Sequence, residues 1–458
     1  MQTNSDVTQE VIEVLKQNDK TLFTLPADGL YPHQWLWDSC FVAIGLRHLD
    51  IDRAQTELKS LLRGQWSNGM LPHMIFNNSM LYAQDRNIWR SQLSPYAPDT
   101  VSTSGITQPP VLAEAVIQVG KKLKKPERRT WYLTMLPALI AYHQWLYTER
   151  DPRDSGLVLQ VHPHETGLDS TPPWIDQLHR HHKPWWASFL ESTKLINTVS
   201  LFRRDTRHVP PGQRMSNLDA LLYYDVIRKL RNKHYDIHKI LRKSSFAIQD
   251  LTYNSIFIRA NGCLVEMAEL VNAELPEELV SNMQKTRQVF EQLWDGYSSQ
   301  YYSRNQRTNK LIREPSIATL MPLYAGHITK ERAEQLVSLL HDQEVFGTNY
   351  PVASVPLTSK YFKPMSYWQG PTWINTNWLI VQGLERYGYK KEAEIIRLKS
   401  IELVRQHGSY EYFSPIDGSP AGAKNFSWTA ALVLDFIKKC IINMRKLHLE
   451  KKNKHNRL

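Results

Sequence analysis

Apolar side chains recur along most of this chain at steps of three and four residues, the spacing that lays a single stripe along an α-helix. In residues 249–272 the stripe is Ile256, Ala260, Cys263, Leu264, Met267 and Val271. The same period predicts helices over 110–122, 127–147, 331–340, 375–387, 391–404 and 427–444. Strict alternation of apolar and polar positions is scarce, so a parallel sheet has no run of strands to be built from. The pattern predicts an all-α protein. Pro-containing stretches such as Thr171-Pro172-Pro173 and Val209-Pro210-Pro211 fall between the helical patterns, as loops do. Residues 176–219, dense in His, Arg, Trp and Pro, read as a long loop-like excursion from the scaffold, and such excursions are usually functional. No repeat of about 20–50 residues is evident, and no low-complexity linker divides the chain. The expected division is one helical domain over residues 1–437, followed by a basic helix end and tail over 438–458.

Composition sharpens this picture. Of 458 residues, 42% are hydrophobic, with 14 Trp, 21 Tyr and 13 Phe, which excludes a disordered chain. So many Trp residues suggest aromatic platforms in a concave site, since a pyranose presents apolar C–H faces to a ring. The formal charge of +11 is uneven: residues 438–458 hold eight basic residues against Glu450 alone, +7 of the total. The remainder carries about +4, an ordinary balance that gives no reason to expect a nucleic-acid partner. Cys40, Cys263 and Cys440 are too few and too scattered for a disulfide framework or a Cys-based zinc site, and they fit a reducing compartment. The opening residues lack the basic and apolar regions of a secretory leader, and no apolar run reaches bilayer-spanning length. The expectation is a cytoplasmic protein without stable membrane association; oligomeric state is not readable.

Four polar-aromatic clusters carry the candidate chemistry: Tyr31-Pro-His-Gln-Trp35-Leu-Trp37-Asp38, Thr103-Ser-Gly105-Ile-Thr-Gln108, His162-Pro-His164-Glu165-Thr-Gly167-Leu-Asp169, and Tyr367-Trp368-Gln-Gly370-Pro-Thr-Trp373 with Tyr410-Glu411-Tyr412. Glycoside hydrolysis needs two carboxyl groups flanking the anomeric carbon, one protonated and one ionised, and apolar neighbours help keep the donor protonated. Asp169 and Glu411, each set among Gly, Pro or aromatic neighbours, are the candidates; Asp and Glu in loops also serve as caps and solvated charges. The histidines 162, 164, 179, 181 and 182 with Glu165 lack the His-Glu-x-x-His spacing of a zinc helix, so neither a metal nor another cofactor is expected. Asp38 reads as an N-cap of a helix opening at Ser39.

Taken together and in order, Gln34 to Asp38, the Thr103 segment, His162 to Asp169, Tyr367 to Asn377, and Asn425-Phe426-Ser427-Trp428-Thr429-Ala430 resemble the bacterial branch of glycoside hydrolase family 63, which includes mannosylglycerate and glucosylglycerate hydrolases. The resemblance implies an (α/α)6 barrel with its site at one mouth, acting by inverting, exo-acting hydrolysis of a small α-glucoside or α-mannoside without a metal. It implies that Asp169 is the general acid and Glu411 the general base, roughly 6.5–9.5 Å apart with a water between them. It places Tyr31, Trp35, Trp37, Asp38 and Gln108 around the sugar, with Glu165, Tyr367, Trp368, Gly370 and Trp373 as further substrate-binding candidates. Two stretches depart from the family and alter the expected aglycone pocket, so the implied substrate is either a glucosylglycerate- or mannosylglycerate-like glycoside or an α-gluco-disaccharide. Arg214-Met-Ser-Asn-Leu-Asp-Ala220 keeps the Arg of a glycerate-gripping pattern but has Ala where Tyr is expected, and Lys424 stands where Gln is frequent. Arg214 and Lys424 are the candidates for leaving-group contact. A non-catalytic barrel that kept the aromatic pocket is the alternative.

Overall fold

The helix predicted around 249–272 forms because both of its ends are marked. Asp250 accepts a hydrogen bond from the Tyr253 amide at the N-terminus, and Asn272 closes the C-terminus in the left-handed conformation at φ 53°. All six stripe residues are buried. A computed structural model of the protein describes residues 4–455 except 183, 211 and 245, and leaves undescribed the side chains of 4, 176, 180–182, 201, 202 and 444–455.

Twelve helices build the scaffold among the described residues. In chain order they are α1 (Asn4–Asn18), α2 (Leu36–Leu46), α3 (Ile51–Leu61), α4 (Leu112–Gly120), α5 (Lys125–Arg150), α6 (Leu251–Val271), α7 (Glu277–Val289), α8 (Met321–Ala325), α9 (Lys330–His341), α10 (Ile374–Arg386), α11 (Lys390–His407) and α12 (Ser427–His455). The even-numbered helices touch in the order α2, α4, α6, α8, α10, α12 and back to α2, which closes an inner ring. The odd-numbered helices pack around them. This is the (α/α)6 barrel that the resemblance implies. The ring closes where Gly45 of α2 meets α12: a Cβ there would stand 2.5 Å from the Ala431 backbone, so only glycine permits the approach. Strands are two residues long and serve loops, as in Gln34–Trp35 paired with Met74–Ile75.

A buried ion cluster ties three inner helices together. Glu114 of α4 accepts from Arg259 of α6 and lies 3.8 Å from Arg386 of α10. Burial raises its carboxyl, but the two guanidinium groups outweigh this and bring it down to about 2. A depressed carboxyl contributes stability above its unfolded value and loses it as the pH falls through the folded one. We expect Glu114→Gln to be less stable than the parent by about 3 kcal/mol near neutrality. In denaturant titrations the gap should narrow as the pH drops from 4.5 toward 2.

Residues 176–219, expected to be loop-like, are mostly helical. They follow or contain Pro172–His182, Trp185–Ser192, a 3-10 segment Leu195–Phe202 and Asp205–His208, leading into Asn217–Arg231. Trp174, Leu178, Ala187, Leu222, Tyr223 and Phe246 give this excursion its own small core, which a chain crossing over the barrel mouth needs in order to bury its apolar side chains. The helix α12 runs unbroken across the expected boundary at 437. The side chains of the basic tail beyond 443 lie outside the described residues, as do those of His181 and His182. No helix among the described residues is long and apolar enough to cross a membrane.

Candidate active site

The loops that feed the N-termini of α2, α4, α10 and α12 converge on one mouth of the barrel, together with the α5–α6 connection. They enclose a narrow hollow lined by Tyr31, Trp35, Trp37, Asp38, Gln108, Gly167, Asp169, Tyr367, Trp368, Glu411, Phe426 and Trp428. Asp169 and Glu411, remote in sequence, thus share one aromatic-walled cavity. Trp37 packs edge-on to Trp428 at 5.5 Å, and Trp368 tilts toward Trp37 at 6.5 Å.

Asp169 is held from two sides. Tyr367 Oη donates to its Oδ2 at 3.1 Å, and His164 Nδ1 lies 3.2 Å from Oδ1. Tyr223 Oη donates to the Asp169 carbonyl, and His164 packs in turn against the rings of Tyr223, His162 and His73. Burial keeps His73 and His162 well below the ordinary imidazole value, and neighbouring histidines add to the effect. The backing of Asp169 is therefore a packed wall of imidazoles, with His164 nearest the carboxylate and His73 and His162 behind it. Among the described residues no group of three or more His, Cys, Asp or Glu is placed to hold a metal.

Glu411 is 1% exposed and enclosed by donors. Oε1 accepts from Tyr31 Oη at 2.8 Å and Arg214 Nη1 at 3.1 Å; Oε2 accepts from the Ala423 amide at 2.9 Å and from Arg214 Nη2. Gly422 makes this geometry possible. At φ +73° it occupies a conformation that suits glycine, and a Cβ there would stand 2.6 Å from Glu411 Oε2. We expect Gly422→Ala to lower kcat through displacement of Glu411, at a stability cost of about 1–3 kcal/mol. Steady-state kinetics and thermal melting on the same preparation check both. Asp38, in the first turn of α2, is 4% exposed. Burial pushes its carboxyl well above the usual range, and the charges of Glu411 and Asp169 add to the rise.

A second, larger cavity of about 920 Å3 lies beside the first. Arg214 is the joint between them. It lines the large cavity while its guanidinium contacts Glu411 and Tyr31 and stacks 4.8 Å from the Tyr367 ring centroid. Ser170 and Gln369, the neighbours of Asp169 and Trp368, line the larger cavity, as do Asn217 and Lys363.

Several expected site residues sit elsewhere. Glu165 is fully buried behind the cavity, paired with Arg150 at 2.7 Å, and holds the loop without facing the hollow. Trp373 stacks on the outer face of Trp368 at 3.8 Å, and Gly370 fits against the Lys363 backbone; neither reaches the cavity. Lys424 is exposed. Its charge acts on Glu10 of α1: burial raises the Glu10 carboxyl, and hydrogen bonds from Ser409 and the Lys424 charge offset part of that rise. Asp38 is not an N-cap, because α2 already begins at Leu36. Phe426 and Trp428 line the cavity beyond the residues expected there; the signal for them is the aromatic stretch 425–430 itself.

Comparison with known proteins agrees with this architecture. The mannosylglycerate hydrolase of Thermus thermophilus is 36% identical over 430 residues, covering 93% of this chain and 99% of the relative. The glucosylglycerate hydrolase of Mycolicibacterium hassiacum is 30% identical, covering 93% of this chain and 96% of its own. The crystal structure of a family 63 mannosylglycerate hydrolase from Thermus thermophilus in complex with Tris and D-glycerate superposes with a TM-score of 0.84 at 35% identity, over 94% of this chain and 99% of that one. The family model described as the mannosylglycerate hydrolase MGH1-like glycoside hydrolase domain matches residues 31–429. The barrel, the mouth and these matches agree: the chain belongs to the mannosylglycerate hydrolase MGH1-like branch of glycoside hydrolase family 63, and it is a glycoside hydrolase acting on small glycosides.

Proposed function

We propose that this glycoside hydrolase removes a terminal α-linked mannose or glucose from a small acidic aglycone of the glycerate type, with inversion. The observation that carries the reading is the sharing of one aromatic-walled hollow by Asp169 and Glu411, with the Arg214 cation paired to Glu411 and lining a larger cavity alongside. In this reading a single pyranose sits with its apolar faces against Trp37 and Trp368 and its hydroxyls toward Asp38 and Gln108. The aglycone then extends into the larger cavity. In this assignment Asp169 gives its proton to the leaving glycosidic oxygen, while Glu411 takes a proton from the water that attacks the anomeric carbon from the opposite face. The names of the relatives that act on mannosylglycerate and glucosylglycerate support the substrate class. Proton NMR of a digest of α-mannosylglycerate and α-glucosylglycerate tests it. The first sugar signal released is expected to be the β-anomer; an α-anomer overturns inversion, and turnover of neither glycerate substrate overturns the aglycone.

A further inference from the structure

An ionised carboxylate offers about four lone-pair sites to hydrogen-bond donors. Glu411 has four donors on it already: Tyr31 Oη, the Ala423 amide and two nitrogens of Arg214. No acceptor site remains for a water that must give Glu411 its proton. Tyr31 and the Ala423 amide are fixed by the loops that carry them, whereas Arg214 is a long side chain reaching in from the excursion. Its Nε is buried and has no hydrogen-bond partner among the described residues, so its present position leaves one donor unmet. The cavity it lines also takes in Ser170, the neighbour of Asp169, and an acidic aglycone seated there would present a carboxylate that a guanidinium can grip with two parallel bonds. Base and leaving group lie on opposite faces of the sugar in an inverting reaction, so one guanidinium cannot serve both at once.

We propose that Arg214 caps Glu411 in the unliganded enzyme and is drawn off by the carboxylate of a bound acidic aglycone, so that the base is freed only when the correct leaving group is in place. The proposal rests on the assignment of Glu411 as base. It makes Arg214 a positioning residue acting through Glu411, and it gives acidic substrates an advantage in kcat as well as in binding. Binding energy from the non-reacting part of the substrate is thereby realised at the reacting centre.

The test separates aglycone from chemistry. An α-mannosyl or α-glucosyl fluoride supplies the sugar with a leaving group that fills none of the larger cavity. Free D-glycerate, added to the parent enzyme, is expected to accelerate fluoride hydrolysis by about tenfold, the equivalent of about 1.4 kcal/mol. Glycerol, of similar size but neutral, is expected to have no such effect, and Arg214→Gln is expected to lose the response to glycerate. A fluoride rate that glycerate leaves unchanged or lowers in the parent overturns the proposal, whether or not the variant folds. So does an acceleration that survives in Arg214→Gln. Failure of the underlying assignment has a different signature: with D-glycerate present, Glu411→Gln hydrolysing the fluoride as fast as the parent.

Discussion

Glu411→Gln is expected to lower kcat on the glycerate glycoside by about 10²- to 10⁴-fold, the range of a positioned general base. Asp169→Asn is expected to cause a loss of the same order on that substrate. The two variants part company on an α-glycosyl fluoride. Fluoride departs without needing a proton, so with D-glycerate added Asp169→Asn retains most of the parent's rate, whereas Glu411→Gln remains impaired because the attacking water still needs a base. Both substitutions preserve side-chain volume. The amide introduced by Asp169→Asn still accepts a hydrogen bond from Tyr367, so thermal melting is expected to change little there. The amide introduced by Glu411→Gln is less well accommodated, since Arg214 and the Ala423 backbone N–H both present donors to the position of Oε2. Its kinetics are therefore best compared well below its melting temperature. If both variants fall equally on both substrates, the separate acid and base roles fail. If neither falls, the two carboxyls are not the catalytic pair.

The scaffold was legible because period and burial are tightly linked in a helical ring. The inner helices at 251–271, 374–386 and 427–455 each begin within a few residues of the pattern that predicts them. The excursion was not legible as helix, because its Pro residues and irregular apolar spacing carry no long stripe, and its small core is made with distant partners such as Phe246. Within the site, residue type was informative and depth was not. Trp368 and Trp373 look alike in sequence, yet one faces the hollow and the other supports it from behind. Glu165 and Asp169 are four residues apart in one loop; the first is consumed by Arg150 and two backbone amides, and the second reaches the cavity. Lys424 shows the limit of proximity in sequence: it lies two residues before Phe426 of the cavity wall, yet it is exposed and does not line the hollow.

Glu165 itself yields the second large effect, one of stability. It is fully buried, with Oε1 accepting from Arg150 Nε at 3.1 Å, Arg150 Nη2 at 2.7 Å and the Thr107 amide at 3.3 Å, and Oε2 accepting from the Val161 amide at 2.7 Å. One side chain therefore fastens α5, the loop carrying Gln108 and the loop carrying Asp169. Removing one partner of a buried pair leaves the other charged and unpaired, which costs more than the pair is worth. Glu165→Ala is expected to destabilise the fold by about 3–5 kcal/mol, read by denaturant unfolding. The double variant Arg150→Met, Glu165→Ala should recover part of that loss, because no charge is then left stranded. Activity is expected to recover less than stability. The Thr107 and Val161 amides lose their acceptor in both variants, and those amides set the loops that bring Gln108 and Asp169 to the sugar. If instead Glu165→Ala melts like the parent, the Arg150 ion pair is not what holds the mouth together, and the positions of Gln108 and Asp169 depend on the barrel helices alone.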